Sequence, residues 1–244
     1  MGIVRFGKAA ALVARTRLPL FGLCVLAALM NILLNATARD FLGFPLFLDT
    51  VFTAAVAFAF GLLPGLFVAV LGWVIECVFY GRFHFFVICS VAEVLLICAL
   101  KPAAPVISHF AARESVIATY AGFAAGLMIL YIVCAMAVSV LGGAIDYATQ
   151  MFMGTRLNYF SPEDTFRPAL VVAGLPLVVE DILARVPVNL VGRLVVVFGG
   201  YFVSRWLLWV KRECRNHYRH PKHNRKVSSV NSRWLRQGVG DDGN

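Results

Sequence analysis

Charged residues are scarce in this chain, at 14% of 244 residues against 60% hydrophobic residues. Soluble domains carry about 25% charged residues, so this composition excludes a soluble globular protein. The mean hydropathy is +0.80, and several apolar runs are long enough to span a bilayer. The sequence therefore predicts an all-α, polytopic membrane protein.

The short motifs that carry catalysis are also lacking. There is no HExxH, no nucleophile elbow and no phosphate-binding loop, which mark zinc hydrolases, serine hydrolases and nucleotide hydrolases respectively. We expect a protein that is not an enzyme and holds no cofactor. Because it lacks a Walker motif, a separate ATPase must supply the energy if the chain takes part in pumping.

Disulfides and metal sites are not indicated either. Five of the six cysteines fall in apolar runs, and no CxxC is present. His217, His220 and His223 recur every third residue, but Pro221 prevents one helix face from carrying all three. No cysteine or acid cluster completes a site beside them, so we predict no bound metal.

What the sequence has in abundance is long apolar runs. They predict a bundle of six transmembrane helices within 18–210, preceded by a basic segment, 1–17, and followed by a basic tail, 211–244. The spans are expected at about 18–34, 46–60, 64–80, 83–100, 117–141 and 186–210. Residues 142–185 are expected to form a long external loop, in which 169–184 is apolar enough to lie in the membrane interface.

The basic residues predict how these helices are oriented. Fifteen of the 22 Lys and Arg lie at the two termini and in the loop after the fourth span, against five in the opposite connections. Positive charge concentrates on the cytoplasmic side, so both termini are expected there, in the inner membrane. The net charge of +9 then reflects topology and anionic lipid at the tail, and no nucleic-acid partner is expected.

Ionisable residues within the predicted spans are candidates for a binding site, because charge in hydrocarbon is costly and commonly marks a pathway or a site. Asp49 and Glu76 lie near the outer ends of the second and third spans, and Glu93 lies near the middle of the fourth. Arg193 lies in the last span, and Asn189 precedes it by one turn on the same helix face.

Two interpretations of these residues are open. In one, Arg193 pairs with Glu93 only to neutralise two buried charges. In the other, an outward-facing pocket between helices fixes a small polar ligand, such as a vitamin. Its residues would be Asp49, Thr53, Glu76, Glu93, Asn189 and Arg193. A single arginine among several acids suits a zwitterionic or partly cationic molecule.

Two stretches carry a resemblance to a known family. The segment FPLFLDTVFTAAVAFAFGLLPGLFVAVLG, residues 44–72, has Leu-Asp entering one helix and a G-x-x-P-G turn leading to the next. The later VPVNLVGRLVVVFGGYFVSR covers residues 186–205. Both are similar to the corresponding stretches of S components, the membrane-embedded substrate-binding subunits of energy-coupling factor transporters.

This resemblance implies a subunit that captures a vitamin or similar micronutrient and docks onto a transmembrane coupling protein driven by two cytoplasmic ATPases. S components use an A-x-x-x-A stripe in the first helix for docking, and Ala10 and Ala14 fit that spacing. The turn from Gly61 to Gly65 is expected on the cytoplasmic side, where the coupling protein would touch it.

Two other functions are compatible with the sequence. Similar six-helix modules serve as sensory halves of signalling proteins, so the chain is alternatively a ligand-sensing receptor module that does not transport. The carboxylates within its predicted spans also fit a small ion-coupled carrier.

Overall fold

A computed structural model gives the fold for residues 3–38, 46–81, 83–102, 113–154 and 166–219. Every regular element in these ranges is helical, which confirms the predicted all-α class. The chain divides into two compact units, Met1–Ser204 and Arg205–Asn244.

Eight α-helices follow one another along the described ranges. They are α1 (Ile3–Ala36), α2 (Val51–Phe60), α3 (Leu62–Tyr80), α4 (Val87–Leu100), α5 (Arg113–Met153), α6 (Arg167–Val172), α7 (Leu177–Leu194) and α8 (Gly200–Arg219). A π-helical turn, Val195–Gly199, joins α7 to α8.

The helices have the length and composition of membrane segments. Three apolar stretches are long enough to cross a bilayer, namely Leu62–Tyr80, Tyr120–Phe152 and Leu177–Arg212, and three apolar helices are shorter, namely Leu20–Ala36, Val51–Phe60 and Val87–Leu100. Leu63 and Val78 of α3 are 79% and 78% exposed, and such apolar surface suits hydrocarbon. The chain is thus compatible with a helical membrane protein, while six spans and cytoplasmic termini stay predictions.

The chain after residue 141 differs from the sequence-based expectation. α5 continues through Gly142 and Gly143 to Met153, and α7 begins at Leu177, so both ends of the expected loop are helical. Glycine disfavours a helix by about 1 kcal/mol, but here it permits close packing. A Cβ at Gly143 would lie only 2.7 Å from the Cα of Ile182.

The short helix α2 lies at the centre of the first unit. A Cβ added at Gly65 of α3 would lie 2.9 Å from the Cβ of Ala57, and one at Gly200 would lie 2.8 Å from the Cβ of Ala54. Small residues thus bring two other helices against α2, as is common between membrane helices. The buried residues of α2 are Val51, Thr53, Ala54, Ala55, Val56 and Ala57.

Candidate functional site

The N-terminus of α2 lies inside the first unit. A non-helical segment, Leu46–Leu48, leads into it, and Thr50, which precedes the helix, is 3% exposed. The ten residues of α2 span about 15 Å, half the thickness of a hydrocarbon core. In membrane proteins, irregular backbone next to a half-length helix is found where it is buried in protein or lines a polar cavity.

Arg193 of α7 lies at this helix end. Its Nη1 donates to Glu93 Oε2 at 2.7 Å and to Thr50 Oγ1, and Glu93 and Arg193 are 1% and 4% exposed. Asp49, next to Thr50, interacts electrostatically with both charged groups. The Arg193–Glu93 pair that the sequence offered as one interpretation is therefore formed.

Asn189 lies one turn before Arg193 and is also fully buried. Its Nδ2 donates to Ser139 Oγ of α5 at 3.0 Å, and that hydroxyl donates to the Ala135 carbonyl at 2.7 Å. Together with the residues around Arg193, Asn189 forms what we call the polar centre. Its members are Asp49, Thr50, Glu93, Asn189 and Arg193.

Four buried atoms of the polar centre have no hydrogen-bond partner among the described residues. Three are acceptors, Asp49 Oδ1, Glu93 Oε1 and Asn189 Oδ1, and one is a donor, Arg193 Nε. An unsatisfied buried polar group costs about 1–3 kcal/mol, and more when it is charged. A bound polar molecule would satisfy these atoms.

Thr53, which the sequence predicts as a ligand-binding residue, forms a hydrogen bond between α1 and α2. Asn31 of α1 donates from Nδ2 to Thr53 Oγ1 at 2.8 Å, and its Oδ1 accepts from the Phe52 backbone N–H at 2.8 Å. The Thr50 side chain makes no cap hydrogen bond to α2. Asn31 instead accepts from one of the N–H groups in the first turn that have no partner within the helix.

Glu76 makes its contact at the connection between α3 and α4. Its Oε2 lies 3.8 Å from Nε2 of His84, and the two side chains are 22% and 21% exposed. Burial lowers the pKa of the His84 imidazole, while the negative charge of Asp49 acts in the opposite direction. Trp73 Nε1 donates to the His84 carbonyl at 2.7 Å. His84, which also interacts electrostatically with Asp49, thus connects Glu76 to the polar centre.

The sequence predicts Arg185 at the end of the external loop. In the structure it lies on α7, two turns before Arg193, and is buried. Its Nε and Nη2 both donate to Asp146 Oδ2 of α5, the first at 3.0 Å. Its guanidinium lies 4.9 Å from the ring centre of Phe86 and 5.7 Å from that of Phe47. The sequence signal that could have revealed it is the recurrence of residues 185, 189 and 193 on one helix face.

A further buried group, which we call the distal cluster, joins α5, α6 and α7. Asp181 accepts from Arg167 and, at 3.1 Å, from Gln150 Nε2. Arg167 Nη1 also lies 3.8 Å from Glu180 Oε1. The distal cluster consists of these four residues, and they hold the short helix α6 against α7.

Two of the predicted docking residues, Gly61 and Gly65, differ in their surroundings. Gly61 lies between α2 and α3 with φ of 89°, beside the exposed Leu63. Gly65 is buried against Ala57, so the surface of this turn is formed by its neighbours and not by Gly65 itself.

The other predictions concern side chains or residues that the structure does not describe. Ala10 and Ala14 lie in α1, but their side chains are not among the described ones. Residues 220–244, with most of the basic tail, lie outside them as well. Docking through the first helix and lipid binding by the tail therefore stay predictions.

Comparison with known proteins found no matching family model, no similar curated protein and no similar solved structure.

Proposed function

We propose that the protein is the substrate-capture subunit of a membrane importer for a vitamin or similar micronutrient. It would bind its ligand at the polar centre, in a pocket that opens outward. A separate coupling protein and cytoplasmic ATPases would supply the energy.

The observation that supports this proposal is the set of unpartnered atoms on Asp49, Glu93, Asn189 and Arg193. A buried ion pair is stable when further hydrogen bonds satisfy its remaining atoms. Here the pair uses one Arg193 nitrogen and one Glu93 oxygen, while Arg193 Nε and Glu93 Oε1 have no hydrogen-bond partner among the described residues. Buried polar atoms without partners, grouped at the interior end of a short helix, are typical of a site that binds a polar molecule.

The location of these groups also supports capture between helices. The polar centre draws one side chain from α4, two from α7 and two from the chain that enters α2. A ligand at this place would contact several helices at once. Its binding would favour the helix arrangement that it contacts best, and a partner protein could recognise that arrangement.

The experiment is a pull-down combined with uptake measurements in the native host. The full-length tagged protein is purified from membranes in mild detergent, and the co-purifying proteins are identified. We expect a coupling protein and ATPases to co-purify, and we expect deletion of the chain to lower uptake of one micronutrient.

Two variants on the same helix complete the test. Arg193→Gln should abolish the uptake that deletion abolishes, and Val191→Ala should retain it, because Val191 is 52% exposed. Unchanged uptake after deletion, with no ATPase in the purified sample, would refute the importer and favour a sensor. Transport by the purified chain alone in liposomes would instead support an ion-coupled carrier.

A further inference from the structure

The proposed capture site has more free acceptors than free donors. Asp49 Oδ1, Glu93 Oε1 and Asn189 Oδ1 can accept hydrogen bonds, whereas Arg193 Nε is the one donor among the buried, described atoms of the polar centre that lack a partner. The Asn189 amide nitrogen is already used by Ser139. A molecule that satisfies this set must therefore present mainly hydrogen-bond donors.

The charges lead to the same class of molecule. Asp49 and Glu93 both interact electrostatically with Arg193, which is the cation of the polar centre. The N-terminus of α2 adds a partial positive charge of about 0.5, and one of its N–H groups is already taken by Asn31. Within the polar centre, two carboxylates therefore face one arginine and this partial charge, and buried charge needs a counter-charge.

Building on the proposed function, we propose that the captured molecule is a small organic cation with N–H donors, such as an ammonium or amidinium compound. Its donors bind the free oxygens of Glu93, Asp49 and Asn189. An acceptor elsewhere on the same molecule takes the Nε–H of Arg193. An anion at this place would face two carboxylates with one free donor to hold it.

The test measures thermal stability of the purified full-length protein with probes of different charge. Thiamine and pyridoxamine serve as donor-bearing cations, biotin and pantothenate as anions, and riboflavin as a neutral compound. The four tryptophans report unfolding by fluorescence. A cation that binds raises the Tm by about 5–10 °C at 100 times its Kd, and the anions do not.

Variants show whether the shift comes from the polar centre. Glu93→Gln and Asp49→Asn should each lower the apparent affinity for the cation at least tenfold. The Tm shift at a given cation concentration should become smaller accordingly. The control Glu180→Gln removes a buried carboxylate of the distal cluster, 13 residues from Arg193 along α7, and should keep the shift. If Glu93→Gln does not fold, Asp49→Asn decides, because no hydrogen bond to the Asp49 Oδ1 atom is lost.

Other outcomes overturn the proposal or separate it from the importer function. A shift with only biotin, pantothenate or riboflavin, or no shift with either cation, refutes the cationic ligand. If deletion of the chain lowers uptake of an anion, the importer stands and the cationic ligand is wrong. If a cation binds through Glu93 but deletion changes no uptake, the cation site stands and the importer is wrong.

Discussion

Arg185 and Arg193 lie eight residues apart on one face of α7, about 12 Å along the helix axis. Both are 4% exposed, and both face a carboxylate from another helix. Arg185 gives two nitrogens to Asp146 and lies over two aromatic rings. Arg193 donates from Nη1 to both Glu93 and Thr50, and its Nε has no partner among the described residues.

This difference separates two roles that burial alone does not distinguish. A guanidinium with two bonds to one carboxylate is held in one geometry and stabilises the contact between its helices. A guanidinium with free donor capacity beside free carboxylate oxygens retains the capacity to bind a further group. We therefore assign Arg185 to the joint between α5 and α7 and Arg193 to the proposed capture site.

The largest effect should come from Asp146→Ala. It removes the carboxylate that takes two hydrogen bonds from buried Arg185, so the free energy of unfolding should fall by about 3 kcal/mol. Denaturation of the purified protein in detergent measures this. Asp49→Ala is the matched variant, and its loss should stay below about 1 kcal/mol because Asp49 Oδ1 has no hydrogen bond in the folded state. Equal losses would show that the hydrogen bonds from Arg185 do not make Asp146 more important for stability than the unbonded Asp49.

The next largest effect concerns the approach of α5 to α7 that brings Asp146 to Arg185. Gly143→Ala would place a Cβ 2.7 Å from the Cα of Ile182, and such overpacking costs about 1–3 kcal/mol. At Gly72 of α3 an added Cβ meets nothing within 4 Å. Gly72→Ala should therefore be neutral or stabilise by up to about 1 kcal/mol. A melting comparison in which both variants behave alike would contradict the close contact.

The sequence predicted the polar centre better than the joint at Arg185. The Arg193–Glu93 pair followed from the small number of charges in apolar runs, because a buried arginine needs a carboxylate and few were available. Asn189 followed from its spacing to Arg193. Such local and compositional signals are readable without a structure.

The contacts of Arg185 and Asn31 were not readable in this way. Two adjacent glycines and several charges favoured a loop after residue 141, and only the packing against Ile182 shows that the glycines continue α5. Asn31 is a single polar residue in an apolar run, and its partners Phe52 and Thr53 lie more than 20 residues away. Long-range contacts of this kind leave no periodic pattern in the sequence.

A smaller effect on stability, with a large effect on binding, is expected for Arg193→Lys. Lysine keeps the charge opposite Glu93 but loses the Nε–H and the planar geometry. Stability should change by about 1 kcal/mol or less, while affinity for the ligand falls about tenfold or more, which corresponds to about 1.4 kcal/mol. Arg185→Lys should show the reverse, with reduced stability and retained affinity. Melting curves and binding titrations on both variants test the assignment of the two arginines.

The smallest effect should be a pH dependence near Arg185. The His84 ring lies 5.7 Å from that of Phe86, over which Arg185 is placed, and burial lowers the pKa of His84. The folded state then binds fewer protons than the unfolded state below the ordinary imidazole pKa of about 6.5. Stability should therefore fall as the pH drops from about 6.5 towards the lowered pKa, and it should be unaffected above that range. His84→Phe should remove this part of the acid-side slope in a Tm series, whereas ligand affinity at neutral pH should stay unchanged. A slope that persists in His84→Phe would assign the acid sensitivity to other groups.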